Sequence, residues 1–471
     1  MRKHVVIVGG GPAGLTAAYA LMKEDVDAVV LERDAQVGGH ARTARHGGFL
    51  FDVGGHRFFT KIPEVERIWR EVMDTRFLRV KRLSRILYRG RFFHYPLKPL
   101  EALRQLGLLE SAWVVASYLR KRIFPIRRES SLEDWMSNRF GRRLFLMFFK
   151  TYTEKVWGLK CRDIRPEWAA QRIKSLTLGG ALRKALLPGG RQHRSLIEEF
   201  DYPEKGPGML WERMACLVRE SGGEVALQQP VVCVRRTGFR VDSVVTCRDG
   251  REQEWAGTHF LSSMPLQELI LTLDPPASPE IQADARALKY RDFITVALMI
   301  RRSSVFPDNW IYVHTPELQV GRIQNYKNWS AAMVPDPRTT CLGMEYFCNE
   351  GDALWSRSDE QLLELARREV MAIGFARPEE IFDGTVLRQR KAYPVYDPEY
   401  RGHLDGLREY LLRFENLQMI GRNGLHKYDN QDHAMLTALL AVKNILGESH
   451  DVWGVNTAHE YLEVQPNPSA D

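Results

Sequence analysis

Three glycines and one carboxylate near the N-terminus have the types and the spacing needed to hold the pyrophosphate of a dinucleotide. Gly9, Gly11 and Gly14 form the pattern G-x-G-x-x-G, and Glu32 follows 18 residues after the last of them. The first glycine permits a tight turn, the second lets the backbone approach the pyrophosphate, and the third allows a helix to pack closely on a strand. A carboxylate at Glu32 can accept hydrogen bonds from ribose hydroxyls.

These residues can act together only if a strand, a helix and a second strand position them. Residues 4–8 and 27–31 are predicted to be buried strands, and residues 13–22 are predicted to be a helix between them. The N-terminus of this helix would direct free N–H groups and its positive dipole end at the phosphates. We therefore predict a Rossmann-like α/β domain. The cofactor-binding residues expected in it are Gly9, Gly11, Pro12, Ala13, Gly14, Glu32 and Arg33.

A second glycine pair favours FAD as the dinucleotide. Gly38, Gly39 and His40 follow shortly after Glu32, with Arg42 close behind. Such a pair beyond the acidic residue recurs in FAD proteins that contain this domain, and Arg42 can neutralise a phosphate charge. Gly39 and His40 therefore join the predicted FAD site.

Later blocks of the sequence resemble one family of flavoproteins. The blocks are Phe51-Asp52-Val53-Gly54-Gly55-His56, Lys155-Val156-Trp157-Gly158 followed by Arg172, Ala392-Tyr393-Pro394, Gly421-Arg422, and Tyr428 followed by Asn430-Gln431-Asp432. They are similar to the UDP-galactopyranose mutase family, within the wider amine-oxidase and protoporphyrinogen-oxidase-like FAD flavoproteins. The resemblance extends in blocks from about residue 4 to about residue 446.

The resemblance implies further contacts with FAD. It places the loop at Gly54 and Gly55 near the isoalloxazine, the backbone near Val231 against the adenine side, and the N-terminus of the helix after Asn430 toward the flavin pyrimidine ring. A helix dipole at that point stabilises negative charge on reduced flavin. The cofactor-binding residues implied are Gly54, Gly55, Val231, Gly421, Arg422, Asn430 and Gln431.

The resemblance also implies a catalytic set. Arg172 and Arg301 would hold the diphosphate of a nucleotide-diphosphate sugar, and Tyr393 and Tyr428 would hydrogen-bond its oxygens. His56 would tune flavin N5 or a loop that closes on substrate, or would only hydrogen-bond backbone. The implied activity interconverts the pyranose and furanose forms of the sugar through N5 of reduced FAD, with NAD(P)H as a reductant. Cell-surface polysaccharide biosynthesis would use such a product.

Other interpretations stay open at this point. Arg291 competes with Arg301 for the place beside the diphosphate. An FAD-dependent oxidoreductase of the amine oxidase, protoporphyrinogen oxidase or desaturase type would use the same FAD domain, with a mostly apolar site and hydride transfer to N5. A binding protein without activity would share the fold, but the glycine motif, Glu32 and the pair Gly421-Arg422 argue against it.

Composition limits the partners. The net charge is +8, but most basic residues are scattered, which argues against nucleic acid. One dense basic run within residues 120–128 follows the apolar stretch 108–119. It is interpreted as a solvated helix end or, alternatively, as a segment in peripheral contact with an anionic membrane. The six cysteines contain no C-x-x-C pair, so no metal site is predicted and the cytoplasm is the expected compartment.

The domain organisation follows from length and from the order of the motifs. A chain of 471 residues indicates two or three domains. We predict a discontinuous FAD-binding domain made of residues 1–85, 205–265 and 415–450. Residues 86–204 are predicted to be a helical substrate region. Residues 266–414 are predicted to be a mixed or antiparallel β-sheet substrate domain, with strands near 294–300, 310–314 and 340–347. Residues 464–471 are predicted to be a disordered tail.

Overall fold

The computed structural model describes residues 3–166 and 198–456. Within these residues the strands are, in chain order, β1 (His4–Val8), β2 (Asp27–Leu31), β3 (Thr43–His46), β4 (Phe49–Asp52), β5 (Phe77–Lys81), β6 (Ser84–Tyr88), β7 (Arg91–His94), β8 (Glu199–Pro203), β9 (Glu224–Ala226), β10 (Val231–Thr237), β11 (Arg240–Arg248), β12 (Arg251–Ala256), β13 (His259–Ser262), β14 (Leu273–Asp274), β15 (Tyr290–Ile300), β16 (Trp310–Val313), β17 (Arg322–Asn325), β18 (Thr340–Cys348), β19 (Ile381–Pro394) and β20 (Leu417–Met419). The α-helices are α1 (Pro12–Lys23), α2 (Pro63–Met73), α3 (Pro99–Leu106), α4 (Leu108–Ile123), α5 (Leu132–Phe140), α6 (Arg142–Phe145), α7 (Thr151–Trp157), α8 (Gly208–Glu220), α9 (Leu266–Leu271), α10 (Pro279–Ala287), α11 (Asp359–Ile373), α12 (Tyr400–Leu411), α13 (Gly421–Gly424) and α14 (Gln431–Leu446).

Five strands form a parallel sheet around the predicted strand–helix–strand unit. Their order is β20–β13–β1–β2–β9, and every neighbouring pair is parallel. Val5, Val6 and Ile7 of β1 are fully buried, which is the pattern of a strand in the middle of a parallel sheet. Helices α1 and α14 pack against each other within the same core. The fold class predicted from the sequence is confirmed.

A seven-stranded mixed sheet forms the second large layer. Its order is β19–β15–β18–β17–β16–β6–β7, and all neighbouring pairs are antiparallel except β16 with β6. The strands predicted near residues 294–300, 310–314 and 340–347 are present as β15, β16 and β18. Helix α11 packs against this sheet, where Leu362 and Val370 join an apolar core with Ile294 and Leu342.

The far edge of this sheet comes from an unexpected part of the chain. Strands β6 and β7 lie between residues 84 and 94, so residue 85, the predicted end of the first FAD segment, lies inside a strand. Leu87 of β6 packs with Ile311 of β16, whereas Ile86 and Tyr88 face the helices. The strand therefore separates two apolar cores.

Helices α3 to α7 form most of the described part of the predicted helical region, but strands β7 and β8 also lie in it, so the region is not helical throughout. The helices surround a core that includes Phe93, Trp135, Phe145 and Phe148. Helix α5 begins after Ser131, whose hydroxyl accepts a hydrogen bond from the Asp134 N–H at 3.2 Å. The predicted tail, the rest of the predicted helical region up to residue 197, and Arg172 lie outside the described residues.

Candidate active site

The turn between β1 and α1 needs its glycines for steric reasons. Gly9 has a φ of +103°, a backbone conformation that favours glycine. A Cβ at Gly14 would lie 1.8 Å from the Gly9 carbonyl oxygen, so any other residue would push α1 away from the turn. Helix α1 begins after Gly11, and no side chain caps its first N–H groups. The turn is therefore a backbone cradle suited to phosphate.

Glu32 at the end of β2 is an acceptor with a defined orientation. The Gly10 N–H donates to its Oε2 at 2.7 Å, and the Asp34 N–H donates to its Oε1 at 2.9 Å. Burial raises the pKa of this carboxyl, and the two N–H donors oppose that effect. The carboxylate lies at the wall of a cavity in front of the glycine turn, where it can accept hydrogen bonds from ribose hydroxyls.

A cavity of about 380 Å³ lies in front of the glycine turn and is lined by residues from both large sheets. All the sequence-predicted cofactor residues line it except Gly14, which packs beneath the turn. Of the predicted catalytic residues, His56, Tyr393 and Tyr428 also line it. One cavity therefore brings together predicted site residues from widely separated parts of the sequence, from Gly9 to Gln431.

Buried hydrogen-bond donors in this cavity fit a ligand rich in acceptors. Nη2 of Arg422 and Nε2 of Gln431 are buried and have no hydrogen-bond partner in the part of the chain that the structure describes. Gln431 is oriented by Trp211, whose Nε1 donates to its Oε1 at 3.2 Å. Buried polar groups normally have partners, so these donors fit the carbonyl and phosphate oxygens of FAD. Asn430 and Gln431 at the start of α14 lie in the same wall.

Neither Arg301 nor Arg291, the two residues expected to hold the diphosphate beside Arg172, lines the cavity. Arg301 follows the last residue of β15, is exposed, and stacks on Phe382 with its guanidinium 4.8 Å from the ring centre. It does not line the cavity, which lies near the other end of β15, where Arg291 pairs with Tyr393. Ten residues of extended chain separate the two arginines, about 33 Å.

Arg291 is a structural residue. Its Nε and Nη2 donate to the carbonyls of Val156 and Lys155, each at 3.0 Å, and Nη2 also donates to the Phe347 carbonyl at 3.0 Å. Nη1 donates to Oδ1 of Asn349 at 2.8 Å. These contacts connect the end of α7 to strands β15 and β18. They engage all three nitrogens of the guanidinium, which does not line the cavity.

Arg322, which the sequence did not indicate, is the arginine of the seven-stranded sheet that lines the cavity. It is the first residue of β17, and its Nε donates to Oε2 of Glu345 on β18 at 2.5 Å. Gln324 donates to the other oxygen of Glu345 at 3.1 Å. Burial alone would lower the pKa of Arg322, but the Glu345 carboxylate raises it well above its usual range. Nη2 lies beside the backbone of Gly54.

Two tyrosines and an arginine form a stack in the same cavity. The rings of Tyr393 and Tyr428 are 5.7 Å apart and inclined by 15°. The Arg422 guanidinium lies 4.8 Å from the ring centre of Tyr393 and 4.5 Å from that of Tyr428. Trp157 packs against both tyrosines from α7. Ring and guanidinium contacts on both sides therefore hold the two phenol rings in place, and this wall of the cavity is aromatic and cationic.

The two histidines of the cavity are neutral. Burial lowers the pKa of His56 to about 3, and the positive charges of Arg422 and Arg322 contribute in the same direction. Burial and the Arg422 charge also hold the pKa of His40 well below its usual range. At neutral pH the cations in this part of the cavity are therefore arginines.

Comparison with known proteins decides the family. Residues 12–405 match the family described as flavin containing amine oxidoreductase. The chain belongs to this family. Among the flavin-containing amine oxidoreductases, it is 28% identical over 182 residues to an L-amino acid oxidase of Crotalus durissus cumanensis, an alignment that covers 35% of this chain and 32% of that protein. It is 38% identical over 63 residues to protoporphyrinogen oxidase 2 (chloroplastic/mitochondrial) of Arabidopsis thaliana, covering 13% of this chain and 12% of that protein. The chain thus spans a third or less of the length of these curated relatives.

A solved structure resembles nearly the whole fold. The crystal structure of reduced UDP-galactopyranose mutase superposes with a TM-score of 0.82 at 18% identity, covering 96% of this chain and 97% of that one. At this identity the likeness concerns the fold. The recognition made from the sequence blocks is confirmed, and the chain is an FAD-dependent flavoenzyme of the amine-oxidase superfamily.

Proposed function

We propose that this flavoenzyme interconverts the pyranose and furanose forms of a nucleotide-diphosphate sugar. The observation that carries the proposal is the composition of the cavity wall, which Arg322 of β17 and the stacked side chains of Tyr393 and Tyr428 line together. Guanidinium groups and phenols suit the oxygens of a diphosphate, whereas a purely apolar wall would suit an uncharged substrate. The fold likeness to UDP-galactopyranose mutase supports this substrate class.

The residues of the chain would bind and orient the sugar nucleotide. Glu345 holds Nε of Arg322, so the guanidinium keeps one orientation and its Nη groups can donate to phosphate oxygens. The stacked phenols of Tyr393 and Tyr428 would donate to the remaining oxygens. Arg172 stays a proposed second diphosphate ligand on the sequence resemblance alone. Reduced flavin supplies a nucleophilic nitrogen, N5, and orientation of the anomeric carbon toward that atom is the task of these residues.

His56 has a different role from that of an acid or a base. Burial and the charges of Arg422 and Arg322 lower its pKa to about 3, so at neutral pH the imidazole keeps only its one tightly held N–H proton and is a weak base. We propose that it shapes the Gly54-Gly55 loop next to the isoalloxazine. The proposed reductant is NAD(P)H, which would keep the flavin reduced between turnovers.

A second candidate is the oxidation of an amino acid or another amine. The observation that favours it is the sequence similarity to L-amino acid oxidases. Arg322 would then bind a substrate carboxylate, and hydride transfer to the flavin would require an electron acceptor such as oxygen. This candidate predicts net redox change, and the mutase proposal predicts none.

The test uses the flavin-loaded enzyme reduced with dithionite under anaerobic conditions. UDP-galactose is added, and chromatography follows conversion between its pyranose and furanose forms. We expect exchange without any electron acceptor. Arg322→Lys should lower kcat/KM about 10- to 100-fold, because lysine cannot make a forked contact with phosphate. Arg301→Lys, the same change on the exposed surface, should leave it unchanged. Oxygen consumption with an amino acid, in the absence of any sugar exchange, would favour the second candidate.

A further inference from the structure

Helix α4 exposes a row of large apolar side chains that the fold does not cover. Leu108, Leu109, Trp113, Leu119 and Ile123 are between 51% and 92% exposed, and Phe124 after the helix is 71% exposed. Monomeric proteins rarely expose a contiguous apolar surface of this kind unless it contacts a partner or a membrane.

The inner side of α4 is well anchored, so the exposed row has a defined orientation. Val114 is fully buried among the helices, and Ser111 donates to the Leu103 carbonyl at 2.6 Å. Nη2 of Arg143 donates to Oε2 of Glu110 at 2.7 Å. A Cβ at Gly141 would lie 2.8 Å from the backbone of Tyr118, which shows how closely the start of α6 packs on this helix.

Five cations lie in the last turn of α4 and in the segment after it, but Lys121, seven residues after the buried Val114, lies on the inner side of the helix. They are Arg120, Lys121, Arg122, Arg127 and Arg128. None of them forms an ion pair with an acidic residue within the described ranges. At 100° per residue, Arg120 falls in line with Leu109, Trp113 and Ile123, and its long stem lets the guanidinium reach past an apolar contact to a charged layer.

We propose that α4 and the turn after it, residues 108–128, form a surface that docks this enzyme on an anionic lipid bilayer. The helix axis would lie parallel to the membrane, with the apolar row at the level of the acyl chains and Arg120, Arg122, Arg127 and Arg128 among the phosphates. Within the described residues, no helix is both long and apolar enough to cross a bilayer. The charge favours lipid over a second copy of the chain, because two copies joined through this surface would each bring four arginines to it.

Co-sedimentation of the full, flavin-loaded chain with vesicles tests the proposal. We expect binding to vesicles of phosphatidylcholine mixed with phosphatidylglycerol, no binding to phosphatidylcholine alone, and weaker binding as salt is raised. The double variant Arg120→Gln with Arg122→Gln should bind about 30-fold more weakly, at about 1 kcal/mol for each cation near an anionic surface. The double variant Trp113→Ser with Ile123→Ser should bind at least about tenfold more weakly, because the apolar contact is lost.

Two control variants and sedimentation velocity distinguish lipid binding from association between copies of the chain. Leu412→Ser and Arg251→Gln change exposed residues elsewhere and should bind like the unaltered enzyme. Sedimentation velocity without lipid should show the same species before and after Trp113→Ser with Ile123→Ser. Equal binding by all variants, or no binding to anionic vesicles, would overturn the proposal. So would an oligomer that this variant dissociates, since the surface would then be a contact between copies.

Discussion

The guanidinium of Arg322 owes its position to a carboxylate that does not reach the cavity. Glu345 is fully buried, contacts both Arg322 and Gln324, and pairs in register with Arg322 across β17 and β18. Local sequence around residue 322 gives no sign of this, because the contact depends on a strand pair 23 residues apart in the chain. The glycine motif, by contrast, acts through neighbours in sequence and could be predicted.

Glu345→Gln should destabilise the fold and misplace Arg322. Removing one partner of a buried ion pair leaves the other charge uncompensated, at a cost of about 3 kcal/mol in the free energy of unfolding. Urea unfolding measures this, and KM for the sugar nucleotide should rise if Arg322 binds the diphosphate. Glu364→Gln breaks the exposed contact with Arg368 and should have no measurable effect. Equal stability of the two variants would contradict the prediction.

His56 should not contribute to the pH dependence of catalysis near neutrality. Its pKa is lowered to about 3 by burial and by the charges of Arg422 and Arg322, so its protonation state is constant between pH 5 and 8. His56→Gln should lower kcat/KM by the same factor at every pH in that range. The measurement is the ratio of kcat/KM between the two proteins across pH. A change of kcat/KM with pH near pH 6.5 that is present in the unaltered enzyme and absent in the variant would show that the imidazole titrates during turnover.

At the level of elements, local patterns and long-range pairing differ in how far they could be predicted. The strands near residues 294–300 and 340–347 could be predicted from local sequence and are present as β15 and β18. The cavity, however, lies near the Tyr290 end of β15, whereas Arg301 follows the opposite end. The prediction for Arg301 is wrong because a motif match does not show which end of a strand lies at the site. Strand β6 joins its sheet through β16, more than 200 residues later, which no local pattern records.

Gly14→Ala should impair flavin binding through the packing of α1 on β1. The added Cβ would lie 1.8 Å from the Gly9 carbonyl oxygen, so α1 must shift and the phosphate cradle with it. We expect flavin occupancy, read from visible absorbance of the purified protein, to fall, with the Kd for flavin raised about 5- to 150-fold, since overpacking of this kind costs about 1–3 kcal/mol. Gly402→Ala in α12 meets nothing within 4 Å and is the matched control. Full occupancy in Gly14→Ala would refute this account of the turn.

At the scale of the whole molecule, a buried carboxyl connects the segments that meet behind the cavity. Thr43 donates to Oδ1 of Asp52 at 2.9 Å, Tyr202 donates to Oδ2, and Tyr326 donates to the Asp52 carbonyl at 3.0 Å. These partners lie on β3, on β8 and just after β17. Burial raises the pKa of Asp52 to about 7, although the two hydroxyl donors oppose the shift.

The pKa of Asp52 makes global stability depend on pH. The folded chain holds this proton more tightly than the unfolded chain, so the contribution of Asp52 is fully present below about pH 4 and is lost as pH rises to about 7. The loss is at most about 4 kcal/mol. Asp52→Asn should remove this dependence, and urea unfolding at pH 5 and pH 8 should then differ less than in the unaltered chain. An identical difference in both proteins would contradict the assignment.

The parallel sheet draws β1 and β2 from the beginning of the chain, β9 and β13 from its middle, and β20 from near its end. During synthesis, a nascent chain cannot close this sheet until residues 417–419 have left the ribosome, and the wall formed by α14 emerges later still. Flavin capture therefore has to wait until α14 has emerged. Any premature stop before α14 should yield a colourless polypeptide rather than a partly functional fragment.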